Sequence, residues 1–323
     1  MAKTIDVTAL GELLIDFTES GTSSRGNPLL EENPGGAPCN VLAMLSKLGR
    51  KTAFIGKVGA DSFGSRLKSA VSSAGIDTSG LVTDNTVNTT LAFVHTLENG
   101  DRDFSFYRNP GADMMLKADE INDALIEDCG IFHFGTLSMT AECCRDATEK
   151  AVAAAKKSGA LISFDPNIRK PLWNDLETAR ERTVWGLRNC DILKISDNET
   201  EWLTGTNDYK KAALQLKRQY GISLVLVSLG RNGSIALSNS AFAEMPSYKV
   251  NAVETTGAGD TFCACVLNYV LENGLKDYTS SELEEMLRFA NAAAAIVTTR
   301  KGALAVMPER SEIEELILKY GRN

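Results

Sequence analysis

The run Glu254-Thr-Thr-Gly-Ala-Gly-Asp260 opens an apolar stretch, TFCACVLNYVL, that reads as a helix. Gly257, Ala258 and Gly259 leave the first N–H groups unobstructed, and the positive end of the helix dipole points outward. Such a terminus suits phosphate oxygens, whose charge grows during transfer. Asp260 lies in the same first turn and can accept a hydroxyl proton there. The carboxylate could equally serve only to stabilise the helix N-terminus. A positioned base contributes roughly 10²–10⁴-fold in rate, so the two readings differ sharply in what its removal costs.

Further polar groups fall at strand and loop ends. In Pro34-Gly-Gly-Ala-Pro-Cys-Asn40, Gly35 and Gly36 allow close approach of backbone to a ligand, and Asn40 offers a donor and an acceptor. Asp16 closes the apolar run LLIDF; there it can face a ligand crevice and bind vicinal hydroxyls, or cap the following turn. Phe164-Asp-Pro-Asn-Ile-Arg169 brings an acceptor (Asp165), an amide (Asn167) and a phosphate-pairing guanidinium (Arg169) to one rim. In Lys194-Ile-Ser-Asp-Asn-Glu199, Glu199 can orient hydrated magnesium, although acidic loop residues are usually only solvated.

Other chemistries lack their parts. There is no GxxxxGK[ST] loop, since Gly56-Lys57 is followed by Val58, and no HRD, DFG or HExxH set. The first strand is not followed by a GxGxxG helix; Gly11-Glu-Leu-Leu-Ile continues as apolar sequence, which argues against a dinucleotide-dependent dehydrogenase. The two histidines, His95 and His133, fall in a hairpin pattern and an apolar strand, so histidine-based catalysis is not expected.

These residues need elements to position them. Strand candidates are Ile5–Leu10, Thr52–Val58, Ile131–Phe134, Ala160–Phe164, Ile192–Ile195 and Ser223–Ser228, with helical patterns between them. Pro38 suits a first helical turn, Gly49 ends that helix, and Asp61 can cap a helix that stops at Gly75. Strand–helix alternation implies an α/β fold whose mostly parallel sheet is covered on both faces. Two stretches break the rhythm. Residues 12–34 are loop-like after Asp16, and residues 88–108 alternate as strands around a hairpin turn at Asn99-Gly100. The expectation is one domain over 1–323 with a small β-sheet lid from about 12–34 and 88–110; an ordinary surface hairpin is the alternative for the second stretch.

Composition limits the partners. The chain has 323 residues, 43% hydrophobic and 24% charged, with a net charge of −8. That charge argues against nucleic acid or an anionic membrane as partner. An anionic nucleotide must then be held by helix N-termini, a few cations and a metal ion. The seven cysteines have no zinc-ribbon spacing and read as small buried residues of a reducing compartment. The vicinal pair Cys143–Cys144 leaves a redox role open. No signal-peptide pattern and no membrane-length apolar run is present, so a cytoplasmic location is expected.

In this order the segments resemble the ribokinase-like (PfkB) carbohydrate kinases, and among them the fructokinases. GGAPCN with LSKLGRKTAFIGKVGADSFG is similar to the N-terminal signature, and ETTGAGD to the C-terminal one. RNPGADMML, DPNIRKPLW, KISDNETEWLTG and IVTTRKGALAVMP extend the likeness along the chain. It implies a doubly wound sheet with a β lid, and transfer of the ATP γ-phosphoryl group to fructose. Asp16, Gly35, Gly36 and Asn40 would hold the sugar, with Arg108 and Arg169 near sugar and transferred phosphate. Gly257, Ala258 and Gly259 would form the anion hole and Asp260 the base. Lys194, Ser228, Gly230, Gly233 and Asn291 would serve the nucleotide, and Glu199 magnesium through water.

The resemblance also implies activation by potassium in many members, at a site that would fall on Glu254, Thr256, Val297, Arg300 and Gly302. Three positions depart from the family pattern. Glu254 stands where Asp is usual before TTGAGD, Cys265 replaces a Gly or Ala, and Ser196-x-x-Glu199 stands for NxxE. Kinases of 2-keto-3-deoxygluconate or of ribosides are the nearest alternatives, and a non-catalytic binding protein would have lost the base or glycines that are kept here. A lid sheet with exposed edges could also pair with a second lid in a homodimer.

Overall fold

The computed structural model describes residues 3–96 and 102–320, with the side chains of 95, 96 and 102–104 undescribed; the expected Asn99-Gly100 turn lies outside these residues. The strands are β1 (Ile5–Leu10), β2 (Leu14–Thr22), β3 (Pro28–Gly35), β4 (Thr52–Gly59), β5 (Ile76–Asp84), β6 (Leu91–Thr96) and β7 (Arg102–Tyr107). They continue as β8 (Cys129–Gly135), β9 (Leu161–Asp165), β10 (Ile192–Ser196), β11 (Leu224–Ser228), β12 (Ser234–Leu237) and β13 (Phe242–Met245). The helices are α1 (Ala37–Lys47), α2 (Ser62–Ser73), α3 (Asp123–Glu127), α4 (Glu142–Lys157) and α5 (Leu176–Asn189). After them come α6 (Asp197–Thr204), α7 (Tyr209–Tyr220), α8 (Ala258–Asn273), α9 (Ser280–Val297) and α10 (Arg310–Tyr320).

Nine strands make the main sheet in the order β13-β12-β11-β10-β9-β8-β1-β4-β5. It is parallel from β5 to β11, and β12 and β13 add an antiparallel edge. Strand side chains alternate between two cores. Leu224 and Leu226 of β11 face the layer of α1, α2, α8, α9 and α10, whereas Val225 and Val227 face the layer of α3 to α7. Burial on both faces explains the near-continuous apolar strands. Phe132, Phe134 and Phe164 are fully buried, and each such side chain stabilises by about 1.5–3 kcal/mol.

The expected strands are present with boundaries moved by no more than two residues, and β5, β12 and β13 add to them. Pro38 sits in the first turn of α1, and Asp61 caps α2 by accepting from Gly64 N. Residues 12–34, loop-like in pattern but expected in the lid, form its first two strands: after Asp16 the chain continues as β2 and returns as β3. The apolar signal is weak there because half of β3 is exposed and only Gly35 is buried.

The second sheet, ordered β3-β2-β6-β7, is the lid. Phe17 of β2 stacks on Phe93 of β6 with centroids 5.1 Å apart, and Phe63 of α2 meets Phe17 edge-on at 5.8 Å. The lid rests on the body through this aromatic group. All seven cysteines are free, and Cys143 alone is not fully buried. Burial raises the thiol pKa of both Cys143 and Cys144, the latter to about 11, so the vicinal pair has little thiolate character. Among the described residues no helix is long and apolar enough to cross a membrane.

Candidate active site

The crevice under the lid collects residues from the carboxyl ends of the central strands and from two helix N-termini. A space of about 440 Å³ is lined by Asp16, Gly36, Asn40, Arg169, Lys194, Thr256, Gly257, Gly259 and Asp260, among others. Helix α8 starts there without a side-chain cap, because its N-cap is Gly257 in the left-handed region at φ 81°. A Cβ at 257 would lie 2.8 Å from the Ala303 Cβ, and one at 259 would lie 2.9 Å from the Lys194 Nζ. Small residues are therefore required, and the first amides of α8 are left for an anion.

Asp260 is buried and accepts a hydrogen bond from Asn40 Nδ2 at 2.7 Å. Burial pushes its pKa up to about 6, against the opposing pull of the Asn40 hydrogen bond, Lys194 and Arg169. A carboxyl poised there is well matched to base catalysis near neutrality. The Asn40 amide oxygen, Oδ1, is buried without a hydrogen-bond partner.

Asp16 reaches over Gly35 so closely that a Cβ at 35 would fall 2.2 Å from its Oδ2. Gly36 has φ 129°, and a Cβ there would meet the Glu12 carbonyl oxygen at 2.4 Å. Glu12 itself, read as part of an apolar run, is a buried carboxyl that accepts from Ala37 N at 2.9 Å. Burial raises its pKa to about 7. Its sequence signal was a lone charge inside the strand-like segment Leu10–Ile15.

Lys194 and Asp165 form a buried ion pair at 2.9 Å beside the α8 amides; burial pulls the ammonium's pKa down, but Asp165, Glu199 and Asp260 raise it further and keep it charged. The other oxygen of Asp165 is buried and unpaired. Asn167 occupies the left-handed region at φ 43°, a strained turn that carries the chain from β9 across the crevice rim. Arg169 follows, exposed, with no side-chain partner among the described residues. His133 bonds Ser163 Oγ at 2.9 Å, and burial lowers its pKa to about 3, so it is a neutral core residue.

Two expected residues stand apart from the crevice lining. Arg108 is buried in an ion pair with Asp113 at 2.7 Å and also donates to Thr140 Oγ1 and the Leu137 carbonyl. It clamps the end of β7 to the body. Glu199 accepts from Ser196 N and Oγ with one oxygen and from Ile168 N with the other. That makes it a capping box for α6 and a brace for the 165–169 turn.

A second cleft of about 710 Å³ is lined by Ser228, Gly230, Gly233, Tyr248, Phe262 and Asn291 among others. Asn291 helps shape the wall: it accepts from Ser234 Oγ and donates to the Met245 and Pro246 carbonyls. Thr255 and Gly259 line both spaces, so the two meet at the start of α8. Nearby, Glu254 accepts from Thr256 Oγ1 at 2.8 Å and from Gly302 N at 3.0 Å, tying the loop before α8 to the loop after α9. Arg300 N bonds the Val297 carbonyl, and the Arg300 side chain pairs with Glu312.

A doubly wound sheet, a β lid and two cavities meeting at an uncapped helix N-terminus define a kinase of small hydroxylated substrates. Residues 4–310 match the pfkB family of carbohydrate kinases, and the chain belongs to that family. It is 41% identical to fructokinase-1 of Zea mays over 97% of this chain and 98% of that protein. It is likewise 41% identical to probable fructokinase-2 of Arabidopsis thaliana, covering 95% and 94%. Among solved structures, the ATP-bound fructokinase of Xylella fastidiosa superimposes with a TM-score of 0.89 at 32% identity, over 98% of this chain and 99% of that one.

Proposed function

We propose that the chain is a fructokinase, converting ATP and D-fructose to ADP and D-fructose 6-phosphate. The observation that carries this reading is the shared wall at Gly259. The nucleotide cleft and the sugar crevice touch at the amides of α8, with Asp260 on the sugar side. Similarity to fructokinases over almost the whole chain supports fructose as the sugar.

The transfer is in-line and rests on positioning and charge stabilisation. Asp16, Asn40 and the Gly35–Gly36 backbone hold the sugar hydroxyls. Asp260 accepts the proton of the primary hydroxyl as its oxygen attacks phosphorus. The α8 amides and the unpaired Arg169 guanidinium face the migrating phosphoryl group, and Lys194 adds a fixed positive charge. The lid excludes water, so ATP is not simply hydrolysed.

Magnesium carried by the nucleotide phosphates neutralises their charge when bound. No cluster of three acidic, histidine or cysteine ligands is present among the described residues. Glu199, with its oxygens already bonded, therefore fits contact through water better than direct coordination. The expected potassium position fits less well. Both Glu254 oxygens are committed to Thr256 and Gly302, and the Val297 carbonyl is committed to Arg300. No step is assigned to potassium.

A sugar acid would want a cation of its own for its carboxylate; Arg108 is spent on Asp113, and Arg169 is assigned to the migrating phosphoryl group. Turnover with magnesium-ATP should thus be highest for fructose in a panel with 2-keto-3-deoxygluconate and ribosides; a preference for either alternative overturns the assignment. Leu29, Leu30 and Tyr107 are exposed on the lid, with Tyr107 at 68%, which supports pairing of lids in a homodimer. A monomer by sedimentation at assay concentration would remove that proposal.

A further inference from the structure

Helix α1 begins at Gly36, which has no side chain to cap the amides that follow. The missing acceptor comes from another element: Glu12, just beyond β1, binds Ala37 N at 2.9 Å. The same residue's carbonyl oxygen packs against Gly36, at a position where any Cβ would be 2.4 Å away. Glu12 thus grips the start of α1 through both its side chain and its backbone. One turn further along this helix, Asn40 N bonds the Gly36 carbonyl and Asn40 Nδ2 holds Asp260 Oδ2 at 2.7 Å. With Asn40 Oδ1 buried and unpaired, no other side-chain hydrogen bond fixes that amide among the described residues.

We propose that Glu12 is a positioning residue for phosphoryl transfer: as a detached N-cap of α1 it sets where Asn40 stands, and so how Asp260 is aimed at the sugar hydroxyl. The inference rests on Asp260 as the base. The residue is 5% exposed; it lies among Pro38, His133, Thr136, Asp165 and Asn167 in a small pocket and borders the crevice as well. Arg108 and Asp113 are the nearest charges acting on it besides that pocket. Capping needs only an acceptor oxygen, which a neutral side chain also supplies. Burial raises the carboxyl's pKa to about 7, which fits a part that does not depend on charge.

The test compares Glu12→Ala, Glu12→Gln, Asn40→Ala and the double variant Glu12→Ala/Asn40→Ala in a coupled assay with magnesium-ATP and fructose. Melting curves establish which variants are folded. Misplacement of a reacting group by about 1 Å costs about 100-fold in rate, so E12A should lose kcat on that scale. The KM for ATP should stay unchanged, because the nucleotide cleft lies on the far side of α8. E12Q keeps the acceptor oxygen and should recover to within about fivefold of the parent, a residual set by one altered hydrogen bond.

Glu12 acts through Asn40, so the double variant should be no slower than N40A alone. Losses that multiply in the double variant, or an E12Q as slow as E12A, overturn the proposal. If E12A does not fold, E12Q decides alone: a kcat within about fivefold of the parent supports the capping role, and a loss near about 100-fold overturns it. A different failure marks the base assignment: if Asp260→Asn keeps its turnover, the reading of Asp260 falls while the capping bond of Glu12 to α1 stands.

Discussion

The sugar crevice and the nucleotide cleft share one helix end but are built by different means. On the sugar side, ionisable side chains from distant segments converge: Asp16, Lys194, Asp165, Arg169 and Asp260. Several are buried, and two oxygens, on Asn40 and Asp165, are left unpaired. The nucleotide side is lined by glycines, short polar residues, the rings of Tyr248 and Phe262, and two exposed cations, Arg231 and Lys249. One side is poised by buried charge at the cost of stability, whereas the other works by shape and solvated cations. Chemistry should therefore be lost by point changes on the first side and only binding on the second.

Removing the base tests this hardest. Asp260→Asn should fold and lose about 1,000-fold in kcat, within the span of general-base effects; near-parental turnover in the coupled fructose assay would collapse the contrast. Arg169→Ala should lose about 100-fold, in line with removing one donor to developing charge. The KM for ATP should move little, which kinetics at saturating fructose can show.

The acid limb of kcat/KM should bend near pH 6, where Asp260 takes up its proton. Below the bend, activity should fall about tenfold per pH unit, as expected for loss of one essential ionised group. On the other side of α8, Tyr248→Ala should raise the KM for ATP about fivefold, the scale of one lost stacking contact, and leave kcat near that of the parent. A large kcat loss there would break the division of labour.

The smallest effect is on stability. The folded chain binds the Asp260 proton more tightly than the unfolded chain does, since the native pKa of about 6 exceeds the ordinary carboxylate value of 3.8. Its contribution is thus most favourable at low pH and is lost as pH rises through the interval between those values. Asparagine carries no such penalty, so D260N should be stabilised at about pH 8 by up to about 3 kcal/mol. Melting curves should show that advantage shrink at about pH 4. Equal melting at both values would mean that Asp260 is not strained by burial.

Much of this organisation was legible in residue order. The parallel strands announced themselves because burial on both faces demands apolar runs, and the glycines of 35–36 and 257–259 marked places where side chains cannot fit. The lid's first arm, loop-like in pattern after Asp16, gave no strand boundaries of its own, since a sheet exposed on one side needs little apolar sequence. Arg108 looked like a ligand of the sugar because its position in the chain says nothing of Asp113, folded against it five residues later. Glu12 was passed over for the opposite reason: a lone acid inside an apolar run shows its purpose only when the start of α1 is brought beside it.

The lid's central pairing has a consequence for assembly. β2 and β6 lie parallel, Ile15 against Leu91 through Thr18 against Val94, although β3, α1, β4, α2 and β5 intervene in the chain. Contacts so far apart in sequence form late, because closing the intervening loop is costly until other structure has shortened it. A nascent chain that has emerged only as far as β5 carries half a lid with an unsatisfied edge. Cover for the crevice is thus completed only after the first βαβ layers have already drawn its two halves together.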